Sequence, residues 1–194
     1  MLKRMAGPRE RCMYCLDSHA TDIEHFWPKA PYPERMFVWL NLLLSCAECG
    51  RFKGERFPLD GRAPLLVDPT VEDPWQFLDF EPRTGIVMAR YDDVAGQQEP
   101  KGVATVDLLQ LNQREALSHG YLRTYSRLRA AVEGSLTTGV LDASRLLHGL
   151  RAADDHGLLG WCFSERGAQE APFKDLRARH RQVWDHCVNE IARG

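Results

Sequence analysis

The chain has no long hydrophobic run. None of its apolar stretches approaches the roughly twenty residues that a membrane-spanning helix needs, so its 194 residues are expected to stay off the membrane. Strong charge of either sign is also missing. The formal net charge is −2, which leaves no molecule-wide basic field to attract a polyanion. Residues 1–62 carry 10 basic and 8 acidic groups, residues 63–101 carry 3 and 8, and the remainder carries 12 and 11. Any nucleic-acid surface must therefore be local or completed by a partner. There is no internal repeat, no phosphate-cradling glycine loop and no nucleophile elbow, which argues against a solenoid, a P-loop enzyme and an α/β-hydrolase. Met1 to Arg11 is short and charged and lacks the apolar core of a signal peptide, so a cytoplasmic setting is expected.

Cysteine is sparse, but four of the six residues are arranged as two Cys-x-x-Cys pairs, Cys12/Cys15 and Cys46/Cys49, with 30 residues between Cys15 and Cys46. One pair lets two thiolates reach an ion from a tight turn, and two pairs complete the tetrahedral sulfur shell of structural zinc. Four soft ligands leave no open position, so this zinc is expected to hold the fold and stay out of the chemistry. Two disulfides would suit a secreted chain, which the opening residues do not suggest. A redox site needs one pair set against a βαβ pattern, and none is evident. Cys162 and Cys187 stand alone and read as packed thiols.

Between and just after the pairs lie Ile23-Glu24-His25-Phe26, Pro28-Lys29, Trp39-x-Asn41-Leu42, Ser45-Cys46-x-x-Cys49, Lys53-Gly54 and Phe57-Pro58. This constellation resembles the HNH endonuclease superfamily, the ββα-metal nucleases, in the variant whose site is held between two zinc knuckles. More narrowly, it looks like the small HNH proteins of bacterial anti-phage systems of the retron-associated and Septu types, which accompany a large ATPase. The resemblance covers about residues 12–58; Asp68-Pro69, Asp73-Pro74 and Thr105 to Asn112 look like the accessory region of the same group, less specifically. It implies an α+β fold around a zinc-stapled ββα core, and endonuclease cleavage of DNA, or of RNA, leaving 5′-phosphates.

The residues support that chemistry on their own terms. Phosphodiester hydrolysis needs an activated water, a cation on the phosphate oxygens and stabilisation of the leaving oxygen. An unperturbed imidazole has a pKa of about 6.5, so a histidine such as His25 can accept the proton of water. Glu24, its neighbour on a strand, points to the opposite face and can hold a hard cation, Mg²⁺ or Mn²⁺; the resemblance requires the hairpin to be bent. A histidine without chemistry is the competing reading for His25. Asn41 matches the middle residue of the HNH triplet, which in the family braces the loop between strand and helix; an ordinary helix-flanking Asn is the alternative. Lys29, Arg51, Lys53 and Arg56 are candidate phosphate contacts, with Lys53 resembling the lysine of the family's closing motif. For the three cations among residues 51–56, a solvated helix face is the competing reading. One departure stands out. Where the family has His or Asn as a second metal ligand after the last cysteine, this chain has Gly50. Asp22 or Glu48 substitutes, water completes the shell as Mg²⁺ tolerates, or catalytic competence is lost.

Punctuation divides the chain into a zinc-bound core over residues 1–62, an irregular strap and β-hairpin over 63–101, and a helical region over 102–194. A hairpin is expected through Asp22 to Phe26, a short helix from about Ser45, an irregular strap from Pro58 to Pro74, a hairpin of Trp75–Phe80 with Ile86–Tyr91, and a linker from Val94 to Gly102. Val106, Leu109, Leu117, Tyr121, Tyr125, Leu128 and Val132 predict one long amphipathic helix with its break at Gly120. A second helix is expected from Leu141 to Ala153. A third carries the stripe Phe173, Leu176, His180, Val183, Trp184, Cys187 and Ile191, with His180 and Cys187 as core residues. These helices are expected to dock an ATPase subunit or a second copy of the chain. Two other function classes remain open: a catalytically silent zinc-stapled subunit that binds nucleic acid or ATPase, and a zinc-dependent adaptor without salt-dependent DNA binding.

Overall fold

The computed structural model describes residues 2–7, 9–138 and 141–193. The backbone separates into two compact units, residues 1–118 and 119–194. Of the short charged segment Met1 to Arg11, Met1 and Pro8 lie outside the described residues, and Leu2–Met5 forms one helical turn, α1.

In the first unit, strand β1 (Asp22–His25) pairs antiparallel with β2 (Leu42–Ser45), and helix α2 (Ala47–Lys53) follows directly. The register sets Asp22 against Ser45 and His25 against Leu42. The expected hairpin and short helix are thus present, in the order strand, strand, helix. In this two-stranded sheet β2 is the buried strand, with Leu43, Leu44 and Ser45 all buried. It also carries the first knuckle, whose Met13 N–H donates to the Leu44 carbonyl at 2.9 Å. Helix α2 starts where the Cys46 side chain accepts the Cys49 N–H, filling the N-cap role. It ends at Gly54, whose φ of 48° lies in the left-handed region that only glycine adopts without cost.

The strap contains a minimal hairpin, β3 (Leu59–Asp60) with β4 (Ala63–Pro64), then runs irregularly through the buried Leu66 and Val67. The expected second hairpin is β5 (Leu78–Glu81) with β6 (Ile86–Ala89). The linker expected over Val94–Gly102 is instead occupied: β7 (Tyr91–Asp92) pairs with β8 (Gln97–Gln98), and helix α3 begins at Pro100 and runs to Leu109. Proline at the first helical position explains that start. Thr105 on α3 accepts the Val67 N–H at 2.9 Å, pinning the strap.

The single long helix also differs from expectation. α3 stops at Gln110, which is left-handed at φ 51°, and α4 runs unbroken through Gly120 from Glu115 to Thr137. In the second unit, α5 spans Ala143–Ala153 as expected, followed by the short α6 (Leu159–Cys162), α7 (Phe173–Arg179) and α8 (Arg181–Ala192). The C-terminal stripe is split, because His180 leaves helical geometry at φ −132° and ψ 56° while serving both helices: its N–H closes α7 on Leu176 and its carbonyl accepts the Trp184 N–H. Phe173, Leu176, Trp184 and Cys187 are buried; His180 is only half-buried. Among the described residues, no helix is long and apolar enough to cross a membrane.

Candidate metal centre and histidine site

The two knuckles bring the sulfurs of Cys12, Cys15, Cys46 and Cys49 within 4.8 Å of one another, all buried. A tetrahedral zinc with sulfurs at about 2.3 Å requires them to be about 3.8 Å apart, and Cys15 Sγ and Cys46 Sγ stand 4.0 Å apart. The donor set therefore fits zinc. The four crowded thiols share their protons unequally: hydrogen bonding from Cys15 holds Cys12 down to about 6 and bonds from Cys12 and Cys15 lower Cys46, while the partners on the other side of those bonds, Cys15 and Cys49, are raised. Burial raises Cys162 and Cys187, the latter to about 11, as suits packed thiols away from this centre.

One partner of the cluster was not legible beforehand. Arg114, between α3 and α4, donates from Nη1 to Cys49 Sγ at 3.4 Å and pairs through Nη2 with Glu48. A guanidinium against a thiolate-rich ion neutralises charge that the protein interior would otherwise have to bear. The arginine follows Cys49 by 65 residues, and no local spacing rule reaches that far.

Glu24 and His25 divide as the strand alternation requires. Glu24 turns to α2, where its Oε1 accepts from Lys53 Nζ at 3.1 Å and from the His25 backbone N–H at 2.9 Å. Its Oε2 lies 3.5 Å from where a β-carbon at Gly50 would stand. The residue expected to contribute a second ligand is thus the one that faces this carboxylate, and glycine leaves that side open. Lys53 needs reassignment from the surface. Its side chain is 0% exposed, so it braces Glu24 rather than a phosphate, and burial holds its ammonium below the ordinary lysine range despite Glu24.

A divalent ion at Glu24 would find one free carboxylate oxygen. Apart from the cysteines, no group of three or more His, Cys, Asp or Glu among the described residues converges on one point. A buried Tyr14 hydroxyl without a hydrogen-bond partner feels the Glu24 charge, and burial followed by that charge raises it well above the phenol range. One open carboxylate oxygen is enough only for a water-rich ion such as Mg²⁺, which needs one or two carboxylates. It does not suit an ion held by three protein ligands.

His25 faces the other way. Its Nε2 lies 3.1 Å from the Met36 carbonyl oxygen. A carbonyl can only accept, so Nε2 carries the proton and Nδ1 keeps the lone pair of the neutral ring. That tautomer is a base oriented by its other nitrogen. The loop supplying Met36 is fixed by the buried Asn41: Oδ1 accepts the Trp27 N–H at 2.7 Å, and Nδ2 donates to the carbonyls of Trp27 at 3.1 Å and Arg35 at 3.0 Å. Asn41 thus braces this loop, between the two strands and not between strand and helix. Lys29, Arg51 and Arg56 are exposed, Arg56 beside Phe57 and Pro58.

The chain is similar to Septu protein PtuB. Identity is 32% over 112 residues with the Bacillus thuringiensis PtuB, covering 55% of this chain and 38% of that protein. It is 28% over 146 residues with PtuB of Bacillus mycoides strain KBAB4, covering 59% and 46%. The match thus spans less than half the length of either PtuB. No family model matches the chain, and no solved structure does.

Proposed function

We propose that the chain is a metal-assisted endonuclease that hydrolyses phosphodiester bonds in nucleic acid, DNA first, as part of a Septu-like anti-phage system with an ATPase partner. The observation that carries this reading is His25, held at the end of β1 with Nε2 on the Met36 carbonyl and Nδ1 free. His25 Nδ1 takes the proton of the attacking water. Glu24 Oε2, left open at Gly50, anchors the divalent ion. Bound there, the ion supplies positive charge to the phosphate oxygens. Lys53 and the His25 N–H hold the Glu24 carboxylate in one orientation. Zinc in the four cysteines keeps β2 and α2 in register with the first knuckle and has no position free for substrate. The similarity to PtuB supports the defence setting, and the ATPase partner is what the resemblance to the small HNH proteins implies.

The test is cleavage of plasmid DNA by the zinc-loaded chain with Mg²⁺ or Mn²⁺, alone and with the ATPase supplied. His25→Ala is expected to lose about 100-fold or more of the rate, the share of a general base, with zinc content unchanged. The second reading, a silent zinc-stapled binding subunit, is favoured by Gly50 and by the ammonium already on Glu24. It predicts no Mn²⁺ binding beyond the zinc, whereas the nuclease reading predicts saturable binding that Glu24→Ala abolishes. Equal cleavage by wild type and His25→Ala would remove the mechanism.

A further inference from the structure

The loop that orients His25 is itself unusual. Directly after Met36 come Phe37, Val38, Trp39 and Leu40, four large apolar side chains in succession, and all are exposed. Phe37 is 89% exposed and Trp39 42%. On β1, Ile23 shares a face with His25 and is 60% exposed. Scattered apolar residues on a surface need no explanation, but a contiguous patch marks a binding surface. This one adjoins the candidate base.

The patch is held rigid from beneath. Asn41, directly after the patch, ties it to Trp27 and to Arg35, just before it, with three side-chain hydrogen bonds. Trp27, Tyr32 and Phe57 pack against one another at the loop's base, Trp27 tilted on Phe57 with ring centroids 4.5 Å apart and edge-on to Tyr32 at 4.9 Å. A loop without function gains nothing from presenting Phe37 to water, while a preorganised platform loses little entropy when a ligand lands on it. The exposed cations on the same stretch are Lys29 and Arg35, the latter 4.3 Å over the Trp27 ring. Apolar faces that follow cations on one loop match a ligand with flat rings on a polyanionic backbone.

We propose that Phe37 and Trp39 form a stacking platform for unpaired bases, seating a single-stranded or frayed segment of nucleic acid beside His25. The proposal rests on the nuclease reading for the identity of the polymer and adds to it the strandedness of the substrate. Bases within a duplex have their faces covered by their neighbours; only unpaired ones offer them to an aromatic side chain. Lys29 and Arg35 position the phosphates without reading the bases.

The experiment is fluorescence anisotropy with labelled oligonucleotides and the intact zinc-loaded chain. The ligands are a single strand, the same strand carrying abasic sites, and a blunt duplex. Phe37→Ala and Trp39→Ala are each expected to weaken single-strand binding about 5- to 100-fold, the range of one lost base stack, with unchanged thermal melting and an unchanged salt slope. Trp39→Phe should restore most of the affinity. Wild type should lose a similar factor on the abasic strand, where the alanine variants lose little more. Lys29→Gln and Arg35→Gln should each flatten the salt slope by about 0.7 for a single strand. Unchanged single-strand affinity in both alanine variants overturns the platform, as does an equal loss on intact and abasic strands. Alanine variants that bind DNA normally but fail to join the ATPase assign the patch to a protein partner and also overturn it. Absence of salt-dependent binding by wild type overturns platform and nuclease together. Binding as expected without cleavage removes the nuclease reading alone.

Discussion

Arg114 makes two polar contacts that act on the metal centre, one to Cys49 Sγ and one to Glu48, while its Nε has no partner. Partners behind a metal ligand commonly control affinity by about 10- to 100-fold. Arg114→Met is therefore expected to lose zinc to a chelator about 10- to 100-fold more readily, read as the shift in a competition titration with a chromogenic chelator. Asn41 is a different case, since it touches no metal. Removing its side chain strands the Trp27 N–H and two carbonyls in a buried place. At about 1 kcal/mol or more per unsatisfied group, Asn41→Ala should destabilise the first unit by about 2–4 kcal/mol in urea unfolding. It should also slacken the Met36 carbonyl that orients His25.

At the scale of elements, glycines separate close packing from open helix surface. A β-carbon at Gly102 on α3 would stand 2.1 Å from the Phe77 carbonyl oxygen and 3.2 Å from Ala89. Both obstacles include backbone, so Gly102→Ala must push α3 off the β5–β6 hairpin. A loss of about 3 kcal/mol is expected in chemical denaturation. Gly134 on α4 and Gly149 on α5 meet nothing within 4 Å. Alanine there restricts the unfolded chain and improves helix propensity, so each should gain about 0.5–1 kcal/mol. Loss of stability at either would show that these helix faces are covered.

For the whole molecule, the decisive feature is that all four cysteines of the candidate zinc centre belong to the unit of residues 1–118. Structural zinc contributes apparent binding energies of about 10–16 kcal/mol, comparable with the entire stability of an ordinary domain, about 5–15 kcal/mol. Chelation is expected to abolish amide-exchange protection in β1, β2 and α2 while leaving α5, α7 and α8 protected, as read by hydrogen-exchange mass spectrometry. Uniform loss along the chain would mean that the second unit cannot fold without the first. Lower pH should promote release, because protons compete with zinc for the thiolates.

Local chemistry accounts for what was readable in the amino-acid order. Two Cys-x-x-Cys turns point to one metal because each spacing presents two sulfurs by itself. Strand alternation separates Glu24 from His25 for the same local reason, and Pro, Gly and apolar periodicity mark the hairpins and the helix over 143–153. What the folded chain alone settled are relations between distant residues and competition among near-equal local states. Lys53 looked like a surface cation until β1 set Glu24 over it. Arg114 had no reason to meet Cys49 until α3 packed beside α2. The helix ended at Gln110 rather than Gly120, and the C-terminal stripe broke at His180, because a few kcal/mol of packing outweigh the tenths by which helix propensities differ. The exposure of Phe37 to Leu40 followed in the same way. Apolar letters in a sequence predict burial, and only the tertiary structure decides which of them the core leaves outside.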